Sequence, residues 1–309
     1  MAQTEVLTKH DIKRIAMVVN PDASKGKVME AAEEALETFM KGGVDVVQMS
    51  GATPAAGREL VHKAVHEDEY DALVVCGGDG LISMALQEQA NTDIPMGIIP
   101  AGTGNDHARE YNIPRHAARA AEIIMDGYAT RTDLGIMRND LGEERYFGTI
   151  ACAGYDSLVS DRTNAIPYPS GRSRYVLAGV IEWARFQSRE SKIYVDGELV
   201  FSGLVAMATI GNTRTYGGGM EVCPRADHHD GLLDLSLLTN FDRRKMLLNM
   251  GYINSGAWWK LKEANMYRGE SIRIEMPGLT AYADGDPFFD TPVECKVAPN
   301  AGYYIVPRP

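Results

Sequence analysis

The chain has 309 residues, a mass of 33.8 kDa and a formal net charge of −11, a length that allows two domains. This acidic balance argues against nucleic acid as the main partner and against broad adhesion to an anionic membrane, because both normally require a basic surface. No apolar stretch approaches the roughly 20 residues that span a bilayer. The N-terminus has no signal-peptide pattern and the four cysteines lack metal or redox spacing, so we expect a cytoplasmic protein with reduced thiols.

The first part of the chain alternates between apolar strand patterns and amphipathic helix patterns. Strands are predicted at 15–19, 44–49, 70–76 and 94–99, and helices at 28–41, 55–66, 81–87 and 115–126. Gly127 is expected to close the last of these helices. The alternation predicts an α/β domain with an open parallel sheet flanked by helices, in which ligands bind outside the carboxyl ends of the strands.

Glycine-rich loops follow two of these strands. Gly77-Gly78-Asp79-Gly80 follows the third strand, and Gly102-Thr103-Gly104-Asn105 follows the fourth. Glycines let a backbone approach a ligand closely, and the amides at the start of a helix favour anions. Asp79 would repel a bare phosphate, which suggests a bound cation, a basic partner or a role in orienting the loop. Neither loop has the dinucleotide-binding or P-loop spacing, and for either loop alone an ordinary strand-to-helix turn is the alternative.

From about residue 131 the pattern changes to many short strands with few helices. Strands are predicted at 131–137, 146–152, 192–195, 199–201, 204–210, 232–238, 271–275, 280–283 and 303–306. Helices are predicted only around 175–189 and 243–262. This composition predicts a β-rich second domain, most simply a sandwich.

Four separated motifs together point to one family. They are Asn20-Pro21, the loop 77–80, the segment 100–106 and Asp284-Gly285-Asp286, in that order. With these motifs the chain resembles the diacylglycerol kinase catalytic-domain family, which includes bacterial diacylglycerol kinases, YegS-like lipid kinases and sphingosine kinases. The order of the motifs is specific, whereas the Gly-Gly-Asp-Gly loop alone is shared with NAD kinases.

The resemblance implies a nucleotide-binding α/β domain of residues 1–134 with 292–309, a β-sandwich lipid-substrate domain of residues 135–291, and a last strand that returns to the first domain. It implies a Mg²⁺-dependent transfer of the γ-phosphoryl group of ATP to a lipid hydroxyl. The simplest acceptor is diacylglycerol, which would give phosphatidic acid. The residues that would contact ATP are Asn20, Pro21, Lys25, Lys27, Thr53, Gly77, Gly78, Asp79, Gly80, Thr103, Gly104 and Asn105.

The segment 227–232 matches the structural Mg²⁺ segment of the family. The resemblance implies that the carboxylate of Asp230 and the carbonyls of Asp227 and Leu232 form this site, and oxygen ligands suit Mg²⁺. His228 and His229 open a transition-metal alternative, which we place lower because adjacent histidines in a strand point to opposite faces. A solvated turn before the strand 232–238 is the third interpretation.

A carboxylate must take or orient the proton of the lipid hydroxyl. We assign this role to Asp286, with Asp284 holding Mg²⁺ or supporting the base, and with Asp79 and Asp106 completing an acidic network around the metal. The usual Asp-Gly-Glu of the family is Asp-Gly-Asp here, so the base is one methylene shorter. Asp284 and Gly285 also fit a type I′ hairpin turn, which would present Asp286 to the cleft.

Other departures from the family pattern leave alternatives open. Leu81, Ser83 and Met84 stand where threonine, asparagine and glutamate are usual. A kinase for another lipid, such as phosphatidylglycerol or a sphingoid base, is the first alternative. An NAD kinase and a non-catalytic nucleotide-binding or lipid-sensing protein are the others.

Two segments, 160–189 and 243–262, interleave basic and aromatic residues. This composition suits the interface between lipid headgroups and acyl chains. We therefore expect a membrane lipid substrate and a transient, peripheral contact with the inner membrane face. The alternative for each segment is an amphipathic helix whose apolar face packs on the sheet. A homodimer also stays open.

Overall fold

The computed structural model describes residues 6–20, 26–51, 53–67, 69–166, 168 and 172–308. The chain divides into two compact units, Met1–Asp133 with Pro299–Pro309 and Leu134–Ala298. The sequence placed the return to the first unit at Pro292. The structure places it at Pro299, inside a long strand that runs from Val293 to Ile305.

The first unit is built on a parallel sheet. Its strands β1–β5 are Leu7–Lys9, Arg14–Val19, Asp45–Ser50, Ala72–Gly77 and Met96–Pro100, and its helices α1–α5 are Lys27–Lys41, Pro54–His66, Asp79–Gln89, Asp106–Glu110 and Ala117–Asp126. β3, β2, β4 and β5 lie side by side in parallel. Tyr304, near the end of the last strand, pairs in parallel with Met96. The predicted open parallel sheet and the return of the last strand are confirmed.

Local sequence explains these elements. β4 and β5 are buried along their whole length, as central strands of a parallel sheet usually are. Thr53 caps α2 by accepting a hydrogen bond from the amide of Ala56 at 3.2 Å. Gly127 ends α5 in the left-handed conformation, with φ 69°, as the sequence predicted. Because β2, β4 and β5 are parallel, the loops that follow them lie at one edge of the sheet.

The second unit is rich in strands. β6 is Tyr128–Asn139, which begins in the first unit by pairing with β1. β7–β12 are Glu144–Phe147, Ile150–Gly154, Arg189–Val195, Glu198–Gly211, Thr215–Tyr216 and Met220–Glu221, and β13–β18 are Leu233–Thr239, Ala264–Gly269, Ser271–Glu275, Thr280–Ala283, Asp286–Asp290 and Val293–Ile305. The helices α6–α9 are Tyr155–Ala165, Arg172–Arg185, Arg243–Leu248 and Met250–Ser255, and a 3-10 helix spans Ala257–Lys260.

Antiparallel pairing organises these strands. β17, β16, β8, β10, β9, β15 and β18 follow one another across the sheet, and β13 joins β10 to β14. Apolar side chains that include Phe147, Ile193, Leu235 and Ile274 fill the core of the unit. A second cluster gathers around the fully buried Trp258. The β-rich second domain is therefore confirmed.

Several predicted elements differ in detail. The predicted strand 146–152 is split into β7 and β8 by Gly148 and Thr149, whose amides both donate to Asp284. The predicted helix 243–262 is broken into α8, α9 and the 3-10 helix, with Gly256 at φ 76°. The predicted helix 175–189 ends at Arg185, and α6 was not predicted at all.

Candidate active site

Two glycine-rich loops of the first unit pack directly against each other. The amide of Ala101 donates a hydrogen bond to the carbonyl of Gly77 at 2.9 Å. A Cβ atom on Gly102 would lie 2.5 Å from the Cα of Gly78, and one on Gly78 would lie 3.1 Å from the Cα of Gly102. Gly102 therefore requires glycine, because a side chain there would force two backbones apart, and a side chain at Gly78 would have to displace the facing loop slightly.

Asn105 holds the second loop in shape. Its backbone is left-handed, with φ 53° and ψ 48°, a conformation that asparagine tolerates better than most residues. Its side-chain oxygen accepts a hydrogen bond from the amide of Gly102 at 2.9 Å, and its side-chain amide donates to the carbonyl of Gly102 at 3.0 Å. Asn105 thus closes the loop from within.

Asp79, the first residue of α3, lies beside His107. The backbone amide and the ring Nδ1 of His107 lie 3.2 and 3.3 Å from Asp79 Oδ1. Burial favours the protonated carboxyl, but the interactions with His107 outweigh it and lower the pKa of Asp79. The carboxylate is therefore ionised at neutral pH, and 18% of the side chain is exposed. An ionised, partly exposed carboxylate fits a Mg²⁺ ligand.

An open cleft of about 330 Å³ lies in the first unit beside the second loop. The first turn of α1, the loop after β5 and the start of α5 line it, with Lys27, Glu30, Gly102, Asn105 and Arg115 among the lining residues. Lys27 and Asn105 were both predicted to contact ATP. The structure therefore brings the start of α1 and the Gly102–Asn105 loop to one cleft, which is lined by both cationic and acidic side chains.

Other predicted ATP contacts lie in loops at the same edge of the sheet. Asn20 directly follows β2 and is exposed, and Gly80 is exposed in the first turn of α3. Thr103 is exposed and Gly104 is half-buried in the loop after β5. All four follow the carboxyl end of a parallel strand, in a loop or, for Gly80, in the first turn of the next helix, which is the position where α/β sheets bind ligands.

Three further predicted ATP contacts have a different outcome. The hydroxyl of Thr53 already accepts the amide of Ala56, so this residue has a clear structural role as a helix cap. Its contact with the nucleotide stays a prediction. Pro21 and Lys25 lie outside the described residues.

In the second unit, a tight turn joins β16 to β17. Asp284 and Gly285 both have positive φ, at 52° and 88°, and Ala283 pairs with Asp286 across the turn. Two central residues with positive φ define the type I′ geometry of two-residue hairpins. The predicted hairpin is therefore confirmed, and Asp286 is its first residue after the turn.

Asp284 anchors this hairpin to the segment between β7 and β8. One carboxylate oxygen accepts the amide of Gly148 at 2.8 Å, and the other accepts the amide and hydroxyl of Thr149 at 2.8 and 2.6 Å. The residue is 6% exposed. Because both oxygens are engaged by protein donors, the structure supports the predicted role of Asp284 as a support for the base better than a role as a Mg²⁺ ligand.

The carboxyl of Asp286 has a raised pKa. Burial and the neighbouring Asp284 raise the pKa of the Asp286 carboxyl, and Arg145 acts in the opposite direction. A raised pKa makes a carboxylate a stronger base. Arg145 is held in place by a hydrogen bond to the carbonyl of Pro287 at 3.1 Å and by its position over the Phe288 ring.

The predicted structural Mg²⁺ segment forms a turn in which Asp230 is already paired. One oxygen of Asp230 accepts the amide of Leu232 at 3.1 Å, and the other lies 3.0 Å from the guanidinium of Arg268. The carbonyl of Asp227 accepts the amide of Asp230. A cation bound by Asp230 would have to compete with Arg268, so the donor set fits Mg²⁺ poorly in this arrangement, and the metal site of this segment stays a prediction.

The two histidines of this segment lie in the same turn, not in a strand. The ring centroids of His228 and His229 are 4.4 Å apart, so the argument that they point to opposite faces was wrong. Within the described ranges, however, the single group of three metal-ligating side chains with mutually close ligand atoms does not include them. That group, His62, His66 and Glu88, lies in the first unit.

The departures from the family pattern in α3 are packing residues. A Cβ atom on Gly77 would lie 2.8 Å from Leu81 Cδ2, and one on Gly57 would lie 3.3 Å from the end of Met84. Ser83 is fully buried. Leu81 and Met84 pack α3 against β4 and α2, which places apolar contacts at two positions where the family usually has polar groups.

Sequence reasoning missed two residues that the structure marks as chemically unusual. His107 follows the predicted loop directly and contacts Asp79. Asp156 lies in α6, where the amide of Ser157 and the hydroxyl of Thr209 donate to it. Burial raises the pKa of Asp156 to about 6. A sequence signal for Asp156 was available. An apolar strand ends in Gly154 directly before a helix, which is the same pattern as in the first unit.

Comparison with known proteins decides the family. The family model of the diacylglycerol kinase catalytic domain matches residues 14–137, and that of the YegS C-terminal NAD kinase beta sandwich-like domain matches residues 149–305. A protein of Mycobacterium tuberculosis strain H37Rv named diacylglycerol kinase is 41% identical over 303 residues, which cover 98% of each chain. This chain belongs to the diacylglycerol kinase family. The resemblance inferred from four motifs is thereby confirmed.

More distant relatives are also diacylglycerol kinases by name. A diacylglycerol kinase of Staphylococcus aureus strain bovine RF122 / ET3-1 is 27% identical over 279 residues, covering 89% of this chain and 86% of the relative. The crystal structure of a diacylglycerol kinase from Bacillus anthracis strain Sterne has a TM-score of 0.75 at 20% identity, covering 97% of this chain and 98% of that one. The structural likeness confirms the fold, and the family membership makes the chain a kinase.

Proposed function

We propose that this member of the diacylglycerol kinase family is an ATP- and Mg²⁺-dependent enzyme that transfers the γ-phosphoryl group to the hydroxyl of diacylglycerol, giving phosphatidic acid. The choice of acceptor rests on the relative named diacylglycerol kinase, which is 41% identical and aligns along nearly the whole chain. The roles of individual residues rest on the geometry of the two units, each of which contributes one part of the machinery.

The first unit supplies the nucleotide site. Gly77–Gly80 and Gly102–Asn105 present closely packed backbone that a triphosphate can approach, and the start of α3 favours negative charge. Lys27 adds a cation at the cleft beside Gly102. Asp79 would hold Mg²⁺, which when bound neutralises charge on the β- and γ-phosphates. His107 keeps Asp79 ionised for this role.

The second unit supplies the base. The acceptor oxygen forms a bond to the γ-phosphorus while the bond from that phosphorus to the oxygen bridging the β- and γ-phosphates breaks. Asp286 takes the proton of the hydroxyl, for which its raised pKa prepares it. Asp284 does not touch the substrate in this proposal. It fixes the hairpin that positions Asp286, through its bonds to Gly148 and Thr149.

A transfer assay with ATP labelled at the γ-phosphate tests this function. The acceptors are diacylglycerol, phosphatidylglycerol, a sphingoid base and NAD, each with and without Mg²⁺. We expect label in phosphatidic acid only when Mg²⁺ is present. Transfer to NAD alone, or nucleotide binding without transfer to any acceptor, would overturn the proposal in favour of an NAD kinase or a non-catalytic protein.

We further propose that α7 and α8 contact an anionic membrane surface. Val176 and Val180 of α7 and Leu247 and Leu248 of α8 are more than half exposed, with Leu248 at 84%. Exposed Val and Leu side chains in this number favour insertion among lipids over packing on the sheet. The alternative, an amphipathic helix whose apolar face packs on the sheet, accounts for Met246 of α8, which is buried in the core, but it leaves these four side chains exposed.

The same two helices also carry exposed basic residues. Arg185, Arg243 and Arg244 are all exposed. The two helices are also joined, because Trp183 Nε1 donates to the carbonyl of Arg243 at 3.0 Å and the Arg243 guanidinium donates to the carbonyl of Ala184 at 2.9 Å. Exposed arginines on helices that also expose apolar side chains suit anionic headgroups above acyl chains. Within the described ranges, no helix is long and apolar enough to cross a bilayer.

Vesicle sedimentation tests the membrane contact. We expect the protein to sediment with vesicles that contain phosphatidylglycerol, and Leu248→Glu to reduce the bound fraction. Leu141→Glu is the matched control, because Leu141 is 86% exposed but lies in the turn between β6 and β7. Equal loss of binding in both variants, or no binding of the wild type, would contradict the assignment of this surface.

A further inference from the structure

We propose that His62, His66 and Glu88 form a binding site for a divalent transition-metal ion on the surface of the first unit. The site is separate from the residues assigned to phosphoryl transfer. It joins the last turn of α2 to the last turn of α3, and it does not depend on which lipid the enzyme phosphorylates.

The geometry brings three ligand atoms together. His62 and His66 lie one helical turn apart on α2, a spacing that places side chains on the same face, and their ring centroids are 4.7 Å apart. Glu88 reaches them from α3, with Oε2 at 2.8 Å from His62 Nδ1 and 3.5 Å from His66 Nε2. One ligand atom from each residue lies within 4.8 Å of the other two.

These separations are close to those that a metal ion requires. Zn²⁺ binds imidazole nitrogen and carboxylate oxygen at about 2.0–2.2 Å in tetrahedral geometry, which places neighbouring ligand atoms about 3.3–3.6 Å apart. The Glu88–His66 separation of 3.5 Å already lies in this range, and the Glu88–His62 separation of 2.8 Å is shorter by about 0.5 Å. His62 and His66 side chains are 53% and 40% exposed, so the site is accessible to solvent and water can complete the coordination shell.

The donor set selects the class of metal. Two imidazoles and one carboxylate favour Zn²⁺, Co²⁺, Ni²⁺ or Cu²⁺ over Mg²⁺ and Ca²⁺, which prefer oxygen ligands alone. All four cysteines are buried, and burial raises the pKa of their thiols above the usual range. Thiolates therefore do not compete for the ion in the folded protein.

An ion at this site would cross-link two helices whose opposite ends lead into the nucleotide loops. α2 begins after Thr53, and α3 begins at Asp79. A ligand that binds the folded state alone raises its stability by mass action. A purely structural hydrogen bond between His62 and Glu88 would give no such dependence on metal concentration, which makes the two interpretations distinguishable.

The chain offers a matched control. His116 Nδ1 lies 3.0 Å from Glu34 Oε1, an exposed histidine–glutamate pair that resembles His62–Glu88 but is not part of the three-residue group. Comparison of His66→Gln with His116→Gln therefore separates a three-ligand site from general histidine binding. Glu88→Gln provides a second, independent change of the site.

The experiment is a titration of the metal-free full chain with Zn²⁺ and with Co²⁺, in excess Mg²⁺ and at about pH 8, above the ordinary imidazole pKa. We expect one Zn²⁺ to bind and to raise the unfolding temperature, and Co²⁺ to show the visible absorption of a nitrogen- and oxygen-ligated ion. His66→Gln and Glu88→Gln should weaken binding by more than about 100-fold, because loss of an outer-shell partner alone costs about 10–100-fold. His116→Gln should bind as the wild type does.

Circular dichroism checks that each variant is folded. Wild-type affinity in both His66→Gln and Glu88→Gln would overturn the site, as would the absence of a Zn²⁺-dependent change in the wild-type unfolding temperature. Binding that falls equally in His66→Gln and His116→Gln would show only general histidine affinity and would also contradict it.

Discussion

The Cα of Gly78 lies so close to Gly102 that a Cβ atom on Gly102 would come within 2.5 Å of it. This contact joins the loop that begins α3 to the loop that follows β5. We predict that Gly102→Ala separates the loops, lowers the free energy of unfolding by about 1–3 kcal/mol as overpacking typically does, and abolishes nucleotide binding. Urea unfolding and nucleotide titration measure the two effects.

Gly251→Ala is the control for this change. Gly251 lies in α9, and a Cβ atom added there would meet no other atom within 4 Å. Alanine also favours a helix over glycine. We expect unchanged nucleotide binding and equal or greater stability. Retention of nucleotide affinity in Gly102→Ala would contradict the role of the loop contact.

Asp284 should be essential for the hairpin because its two oxygens accept three protein hydrogen bonds. Asp284→Asn replaces one acceptor oxygen by a donor that faces an N–H group. We predict a loss of about 1–3 kcal/mol in the free energy of unfolding and a marked loss of activity. Asp290→Asn is the control, because Asp290 is exposed and its side chain accepts the hydroxyl of Thr280. Equal free energies of unfolding of the two variants in urea would contradict the role of Asp284 in anchoring the hairpin.

The pH profile of kcat/KM should report Asp286. Only the ionised carboxylate can accept a proton, and burial together with the charge of Asp284 raises its pKa. Activity should therefore rise with pH around an apparent pKa that is higher than that of an ordinary aspartate. Arg145 lowers this pKa, and Arg145→Gln should therefore move the acidic limb to higher pH. Arg138→Gln, which breaks an exposed ion pair with Glu144, should not move it. An acidic limb that stays at the same pH in Arg145→Gln would count against the assignment of this limb to Asp286.

Asp156 should make stability depend on pH. Burial raises its pKa to about 6 in the folded state, whereas an unfolded aspartate titrates near pH 3.9. Between about pH 4 and pH 6 the folded state keeps a proton that the unfolded state has lost, so stability falls as pH rises, by about 3 kcal/mol in total. Urea unfolding across this range should show a shallower fall in Asp156→Asn than in the wild type. Identical slopes would contradict the raised pKa.

Much of the fold was readable from periodic sequence patterns. The parallel sheet followed from buried apolar runs that alternate with amphipathic helices, and Gly127 marked a helix end through its left-handed backbone. The hairpin at Asp284-Gly285 followed from turn chemistry alone. These features depend on local preferences, which the sequence states directly.

The features that the sequence did not show depend on contacts between distant residues. The split between β7 and β8 occurs where Gly148 and Thr149 donate to Asp284, more than a hundred residues later. The break between α9 and the 3-10 helix occurs at Gly256, where the backbone packs tightly against Met220. His107 beside Asp79, and Arg268 beside Asp230, likewise required the fold to bring separate segments together.

The most direct test of the proposed reaction is transfer of the γ-phosphoryl group of ATP to diacylglycerol by the wild type and by Asp286→Asn, with nucleotide affinity measured in both. We predict labelled phosphatidic acid from the wild type and a loss of at least about 100-fold in kcat for the variant, as expected for removal of a general base, with unchanged nucleotide affinity. Full activity of Asp286→Asn would contradict the assignment of Asp286 as the base.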